Sequence, residues 1–166
     1  EFYTASTRPP AVYRGNPFAI EVGLAYGGEL GFDRHDDDPD AAANAKPGEE
    51  GDVSARVIRF ANRVPLLYQQ SSCCLFKSVV DTKWSNYAIP QSSGSIPRAP
   101  MLILIHMASV WVAFISEGKE AIADYDEIRK EVKLAISECG RGLATLLRRK
   151  RTRADYTRRR DVFTRY

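Results

Sequence analysis

Three groups of side chains in this sequence have chemistry to offer. The first is Lys119, in the polar run Ser116-Glu117-Gly118-Lys119. A lysine ammonium is a compact charge suited to a phosphate oxygen, and a glycine-containing loop can bring it close to one. It is not a Walker lysine, because no Gly-x-x-x-x-Gly leads into it; the alternative is a solvated surface lysine. The second group is Lys83, Trp84 and Tyr87. Two aromatics and a cation can stack on a nucleic acid or grip a backbone phosphate; the alternative is a packing cluster at a helix end. The third is the basic run Arg148, Arg149, Lys150 and Arg151, continued by Arg153, Arg158, Arg159 and Arg160. It can neutralise DNA phosphates, with strongly salt-dependent binding, dock a partner, or end a solvated stalk.

Other chemistries lack their constellations. No Ser-His-Asp set, no carboxylate pair in helical register and no glycine-rich phosphate loop is present, so an independent enzyme has nothing to work with. Cys73 and Cys74 have no histidine beside them to act as a base. The three cysteines, Cys139 included, cannot all pair and lack Cys-x-x-Cys spacing. They read as buried thiols of a reducing, cytoplasmic compartment. Two histidines, His35 and His106, are too few for a histidine metal cage, and no metal site is expected. His106 sits in an apolar run and reads as a core or edge histidine.

The 166 residues are 44 % hydrophobic and 27 % charged, one ordinary globular domain's worth. The longest apolar run is interrupted by His106 and falls far short of the about 20 residues of a spanning helix. The start, Glu-Phe-Tyr, has no Met, basic n-region or apolar h-region; it reads as no signal peptide and as a piece of a longer chain. The net charge of +3 hides two extremes. Residues 141–166 hold ten Arg and Lys against Asp155 and Asp161, a net +8. Residues 33–52 hold eight acids against Arg34 and Lys46, a net −6. With Pro39, Pro47, Gly48 and Gly51, residues 29–52 read as a mobile acidic insertion.

The elements that must position these groups follow from periodicity. Residues 18–26 alternate and end at Gly27-Gly28, a strand entering a turn; Arg14-Gly15-Asn16-Pro17 before them is turn chemistry. Residues 53–60 are a second strand, and 63–68 continue as strand or extended chain. Ser71 or Ser72 can cap a helix over 73–83. Residues 90–100 are a Ser/Gly/Pro loop. Residues 101–110, almost wholly apolar, predict a central strand buried on both faces. Asp124-x-x-Glu127 is a capping box opening the longest helix. Its stripe is Ile128, Val132, Ala135, Ile136, Cys139, Leu143, Leu146 and Leu147. Gly140 and Gly142 lie within it, places for close packing or a bend. Beyond Leu147 the stripe is lost, so the helix should leave the body as a stalk. The fold class is α/β, an α+β two-layer sandwich with helices on one face of a small sheet.

Several segments together resemble one family. Arg8-Pro9-Pro10-Ala11-Val12-Tyr13-Arg14-Gly15-Asn16-Pro17-Phe18 is similar to the "RPP-x-VYRGNPF" signature of the B subunit of DNA topoisomerase VI, a type IIB topoisomerase. Ile20-Glu21-Val22-Gly23-Leu24-Ala25-Tyr26-Gly27-Gly28 continues it. Arg59-Phe60-Ala61-Asn62-Arg63-Val64-Pro65-Leu66-Leu67-Tyr68-Gln69 resembles "RFANRVPLLYQ", and residues 116–124 resemble its "S-x-G/S-K-x-AIAD" loop. The order is right and most of the chain is covered, the acidic insertion apart.

The resemblance implies the transducer domain, with the ribosomal S-five second-domain-like fold and a long C-terminal stalk helix as lever. Residues 1–123 would be the α/β body and 124–166 the long helix and basic stalk. The parent subunit would bind ATP and Mg2+ in an upstream GHKL domain. The transducer would couple ATP binding and hydrolysis there to the DNA gate of the A subunit. This segment would bind no cofactor, and alone would neither turn over ATP nor cut double-stranded DNA; the catalytic tyrosine would belong to the A subunit, and Tyr13, Tyr26 and Tyr68 would be strand aromatics. Lys119 would be the switch lysine that senses the γ-phosphate. A Trp-Lys-x-Tyr motif proposed to contact DNA corresponds to Trp84-Ser85-Asn86-Tyr87, where Ser85 replaces the lysine and Lys83 stands next door. Arg8, Arg14, Gly15, Asn16 and Arg63 are signature positions, with Arg14 and Arg63 fitted to hold turns by bonding carbonyls. The competing reading is a stand-alone basic nucleic-acid-binding α/β module with residues 148–166 as its arm.

Overall fold

A computed structural model describes residues 1–28, 30 and 53–163. The acidic insertion expected over 29–52 lies almost wholly outside the described residues.

The chain begins with strand β1 (Phe2–Thr7), followed by β2 (Ala11–Tyr13) and β3 (Asn16–Tyr26). Then come β4 (Arg56–Ala61), β5 (Val64–Pro65), helix α1 (Cys74–Val80), β6 (Met101–Ser109) and helix α2 (Asp126–Phe163). The sheet order is β1-β3-β6-β4-β5, with β2 paired to β3. The β4–β6 pair is parallel and the others are antiparallel. A parallel pair needs a long crossover, and here that crossover carries α1 and the loop before β6.

Two hairpins are closed by two-residue turns with both residues left-handed, the type I′ geometry that matches strand twist. Arg14 and Gly15 (φ 45° and 81°) join β2 to β3, and Asn62 and Arg63 (φ 46° and 68°) join β4 to β5. Glycine fits the first for want of a Cβ and asparagine the second. β3 therefore starts at Asn16, opposite Tyr13, two residues before the alternating run.

β6 is central in the sheet, but its two faces differ. Met101, Ile103, Ile105 and Met107 are buried, whereas Leu102, Leu104, His106 and Ala108 are half-buried. The expectation of burial on both faces fails because a central position requires neighbours on both edges, and the helices cover one face. On the half-buried face His106 Nε2 accepts the Arg63 backbone N–H at 3.1 Å, so its Nδ1–H donates to Glu21 at 2.8 Å. It is a half-buried histidine of the central strand, not of an edge, with both nitrogens occupied.

The helix starts also differ from expectation. Gln70–Ser72 form a 3-10 turn, and α1 is preceded by Cys73 with no side-chain cap. The Cys74 N–H is instead satisfied by the Ile122 carbonyl at 2.9 Å, so neither serine is needed. α1 ends at Val80, shorter than 73–83, and Trp84–Tyr87 form a second 3-10 turn. α2 begins at Asp126, with the Tyr125 carbonyl taking the first helical bond from the Arg129 N–H at 3.0 Å. Asp124 lies too early to cap it; its carboxylate accepts from Arg129 and Lys77 instead.

The stripe of α2 is as expected. Ile128, Val132, Ala135, Ile136, Cys139 and Leu143 are buried in one core with the inward side chains of β3 and β6, and Leu146 and Leu147 pack at its margin. Gly140 is a close-packing site: a Cβ there would lie 2.9 Å from the Tyr87 ring. Past Leu147, every residue of 148–160 is exposed. Among the described residues no helix is long and apolar enough to cross a membrane.

Candidate functional site

Lys119 stands at the tip of a small hairpin built from the chain between β6 and α2. Phe114 bridges Ile122, the Ile115 N–H reaches the Ala121 carbonyl at 2.9 Å, and the Ala123 N–H reaches the Ala113 carbonyl at 2.7 Å. The Lys119 N–H closes the tip on the Ser116 carbonyl at 3.1 Å. Lys119 itself is left-handed (φ 52°) and exposed. An exposed ammonium on a pinned turn can reach a phosphate on a neighbouring body.

The base of this hairpin is tied to the chain before and within α1. Besides the Cys74–Ile122 backbone bond, the Ile122 N–H points to Cys73 Sγ at 3.5 Å, and Lys77 Nζ lies 3.4 Å from Asp124. Hydrogen bonding from Arg129 holds the Asp124 carboxyl below its usual range. Burial pushes the Cys74 thiol up to about 12 and the Cys139 thiol to about 11. Both therefore stay protonated near neutrality, and packing is what they contribute.

The Trp84–Tyr87 turn lies at another place, under α2. Trp84 is wholly buried and donates its indole N–H to the Val79 carbonyl at 2.9 Å. Tyr87 meets it edge-on with centroids 6.0 Å apart and sits below Gly140. An enclosed indole offers no face for stacking, so Lys83, which is exposed, is the group this turn presents. Arg148, Arg149, Lys150 and Arg151 begin the exposed part of α2. Arg151 donates to the Ala88 carbonyl at 3.3 Å, and Lys150 lies 5.9 Å over the Tyr26 ring. Asp81, two residues before Lys83, pairs with Arg129 and Lys133 near the start of α2, so the turn runs along the helix and its end, at Ala88, reaches Arg151 of the basic run. Lys119 belongs to the other end of α2, about 33 Å away along the helix at 1.5 Å per residue.

The signature arginines hold the frame. Arg8 joins β1 to α2, with Nε 3.0 Å from Glu131 and Nη1 2.5 Å from Glu138. Glu138 is kept below the usual glutamate range, first by the Ser6 hydroxyl and then by Arg8. Arg14 lies over the Tyr125 ring at 4.8 Å, and Arg63 contributes its backbone N–H. The arginine that bonds carbonyls is a different one. Arg59 is 2 % exposed and donates from Nη2 to Leu66 O at 2.8 Å and Tyr68 O at 3.0 Å. Its signal was in the sequence: in the alternation Val57, Arg59, Ala61 it takes the inward register. Because Arg59 takes these carbonyls, the strand stops at Pro65, and Tyr68 is an exposed residue past β5 rather than a strand aromatic.

Residues 1–159 match the family model described as "Topoisomerase VI B subunit, transducer". The chain belongs to this family. The B subunit of type 2 DNA topoisomerase 6 of Methanosarcina mazei is 48 % identical over 143 residues, which cover 86 % of this chain and 20 % of that protein. The protein of the same name from Pyrococcus furiosus is 38 % identical over 167 residues, covering 100 % of this chain and 25 % of its own. The transducer chain therefore spans a fifth to a quarter of the length of these relatives. The B subunit of DNA gyrase from Myxococcus xanthus overlays on 87 % of this chain and 34 % of its own, with a TM-score of 0.47 and 14 % identity.

Proposed function

We propose that this transducer couples ATP binding and hydrolysis on a GHKL domain of its parent subunit to the DNA gate of a topoisomerase A subunit. The parent is then part of an isomerase acting on double-stranded DNA in the cytoplasm. The observation that carries the reading is α2, one 38-residue helix. It starts beside the Lys119 hairpin, is bolted to the sheet through its first half, and ends as an exposed basic rod. Residues 1–123 serve as the body and 124–166 as the lever.

The coupling step needs a contact present in one nucleotide state and absent in the other. Lys119 supplies it by donating a hydrogen bond to a γ-phosphate oxygen before hydrolysis and losing that acceptor afterwards. An exposed ammonium on a braced turn fits this use. Among the described residues no three Cys, His, Asp or Glu side chains converge to hold a metal; in this reading Mg2+ arrives with the nucleotide and is held upstream. In this reading the exposed Arg148–Arg151 meet DNA phosphate at the gate end, and Lys83 is a separate cation offered by the turn beside α2.

The test is ATP turnover by the full subunit with its A partner and DNA, with and without Lys119→Ala. A fall of tenfold or more in kcat with the fold intact supports the reading; unchanged turnover returns Lys119 to the solvated surface. The exposed basic rod also suits a stand-alone nucleic-acid module. That reading requires tight duplex binding by this domain alone, lost when residues 148–166 are removed.

A further inference from the structure

One segment, residues 66–77, ties the interior of the sheet to the Lys119 hairpin. Its inner end is held by Arg59, a buried cation whose two bonds are to neutral carbonyls, at Leu66 and Tyr68. Arg59 Nη1 is buried with no hydrogen-bond partner among the described residues. A buried charge without a counter-charge is costly, and an apolar side chain in this register would pack at less cost. The outer end is held by Gln69, which is left-handed (φ 48°) and donates its side-chain amide to Glu120 at 2.8 Å. Glu120 is the residue after Lys119. The same segment then fixes Ile122 through Cys74 and Asp124 through Lys77. Lys119 is a non-glycine residue in left-handed backbone, a conformation that persists only where surrounding structure determines it.

We propose that Arg59 and Gln69 are positioning residues for Lys119. Residues 66–77 act as a strap that sets the aim of the lysine from inside the sheet. This inference rests on the reading of Lys119 as the group that senses the γ-phosphate. Where the strap works through that lysine, its loss lowers ATP turnover and leaves ADP affinity unchanged.

The experiment uses the full subunit with its A partner and DNA. It measures kcat for ATP and, separately, ADP affinity. Gln69→Glu places two carboxylates together and is expected to lower kcat roughly three- to tenfold, the net worth of one exposed hydrogen bond, with ADP affinity unchanged. Adding Glu120→Gln lets amide and carboxylate trade places and is expected to restore kcat to within about twofold. Lys119→Ala is the reference. If it lowers kcat and Gln69→Glu does not, the strap is overturned and the lysine's role stands. If Lys119→Ala changes nothing, the lysine's role falls and the strap with it. A Gln69→Glu loss that extends to ADP affinity, or that Glu120→Gln fails to repair, is general damage and also overturns the strap.

Discussion

The two halves of α2 are one helix held by different forces. Residues 126–147 carry a continuous apolar stripe that is buried against the sheet. Residues 148–160 are exposed on every side and carry Arg or Lys at most positions. A packed helix draws its stability from tertiary contact. An unpacked one relies on the propensity of Arg, Lys and Ala and on extension from a turn already formed. Like charges at helical spacing weaken the second half further. Burial therefore accounts for the first half, and the sequence of the second answers to something other than stability.

The largest test of that contrast lies at Gly140. Gly→Ala in an exposed helix is worth about 1 kcal/mol of stabilisation. Here the added methyl meets the Tyr87 ring at 2.9 Å, and overpacking of a tight site costs about 1–3 kcal/mol. Gly140→Ala is expected to be net destabilising by up to about 2 kcal/mol, a fall in Tm of up to roughly 8 °C for a domain of this size. In a Tyr87→Ala background the clash is gone and the same change should stabilise. Stabilisation in both backgrounds breaks the claim that this half is set by packing.

What the sequence made legible was local. The alternation of β3, the apolar run of β6, the loop before it and the stripe of α2 each depend on neighbours a few positions away. β1 was not legible, because its inward residues are Phe2, Thr4 and Ser6 while Tyr3 is exposed. Ser6 is buried only because Glu138, 132 positions on, takes its hydroxyl. Asp124 looked like a cap and is an ion-pair partner. Trp84 looked like a stacking platform and is core. Lys119 stood out through family resemblance, whereas Gln69 could not, since its partner lies 51 positions away. Periodicity reports which face is buried; it does not report which polar side chains meet across elements.

The packed half also carries a pH dependence. Glu138 is held low by Ser6 and Arg8, and Asp124 by Arg129 and Lys77. Both carboxyls have depressed folded-state values. Their stabilisation is therefore present above the ordinary carboxylate range and is lost as pH falls through it toward the folded values. Thermal denaturation from pH 7 to pH 3 should show a falling Tm. Glu138→Gln should start lower at pH 7 and show a shallower fall. An unchanged slope separates Glu138 from acid sensitivity and leaves Asp124 to carry it.

The smallest effect in stability is expected at Arg149, and it divides stability from use most sharply. Arg149→Glu places an acid four residues before Arg153, the favourable orientation for a helical ion pair, worth about 0.2–0.5 kcal/mol. It also removes one like-charge neighbour from the rod. Helix content by circular dichroism should rise slightly, most at low salt, where screening is weakest. Duplex affinity should fall, and the slope of log affinity against log salt should drop by about 0.9 if one phosphate contact is lost. A substitution that improves the helix while weakening its hold on DNA means that the basic rod is kept for its partner. If helix content and DNA affinity rise together, the two halves differ in burial alone, and the charge of the second half has no role at the gate.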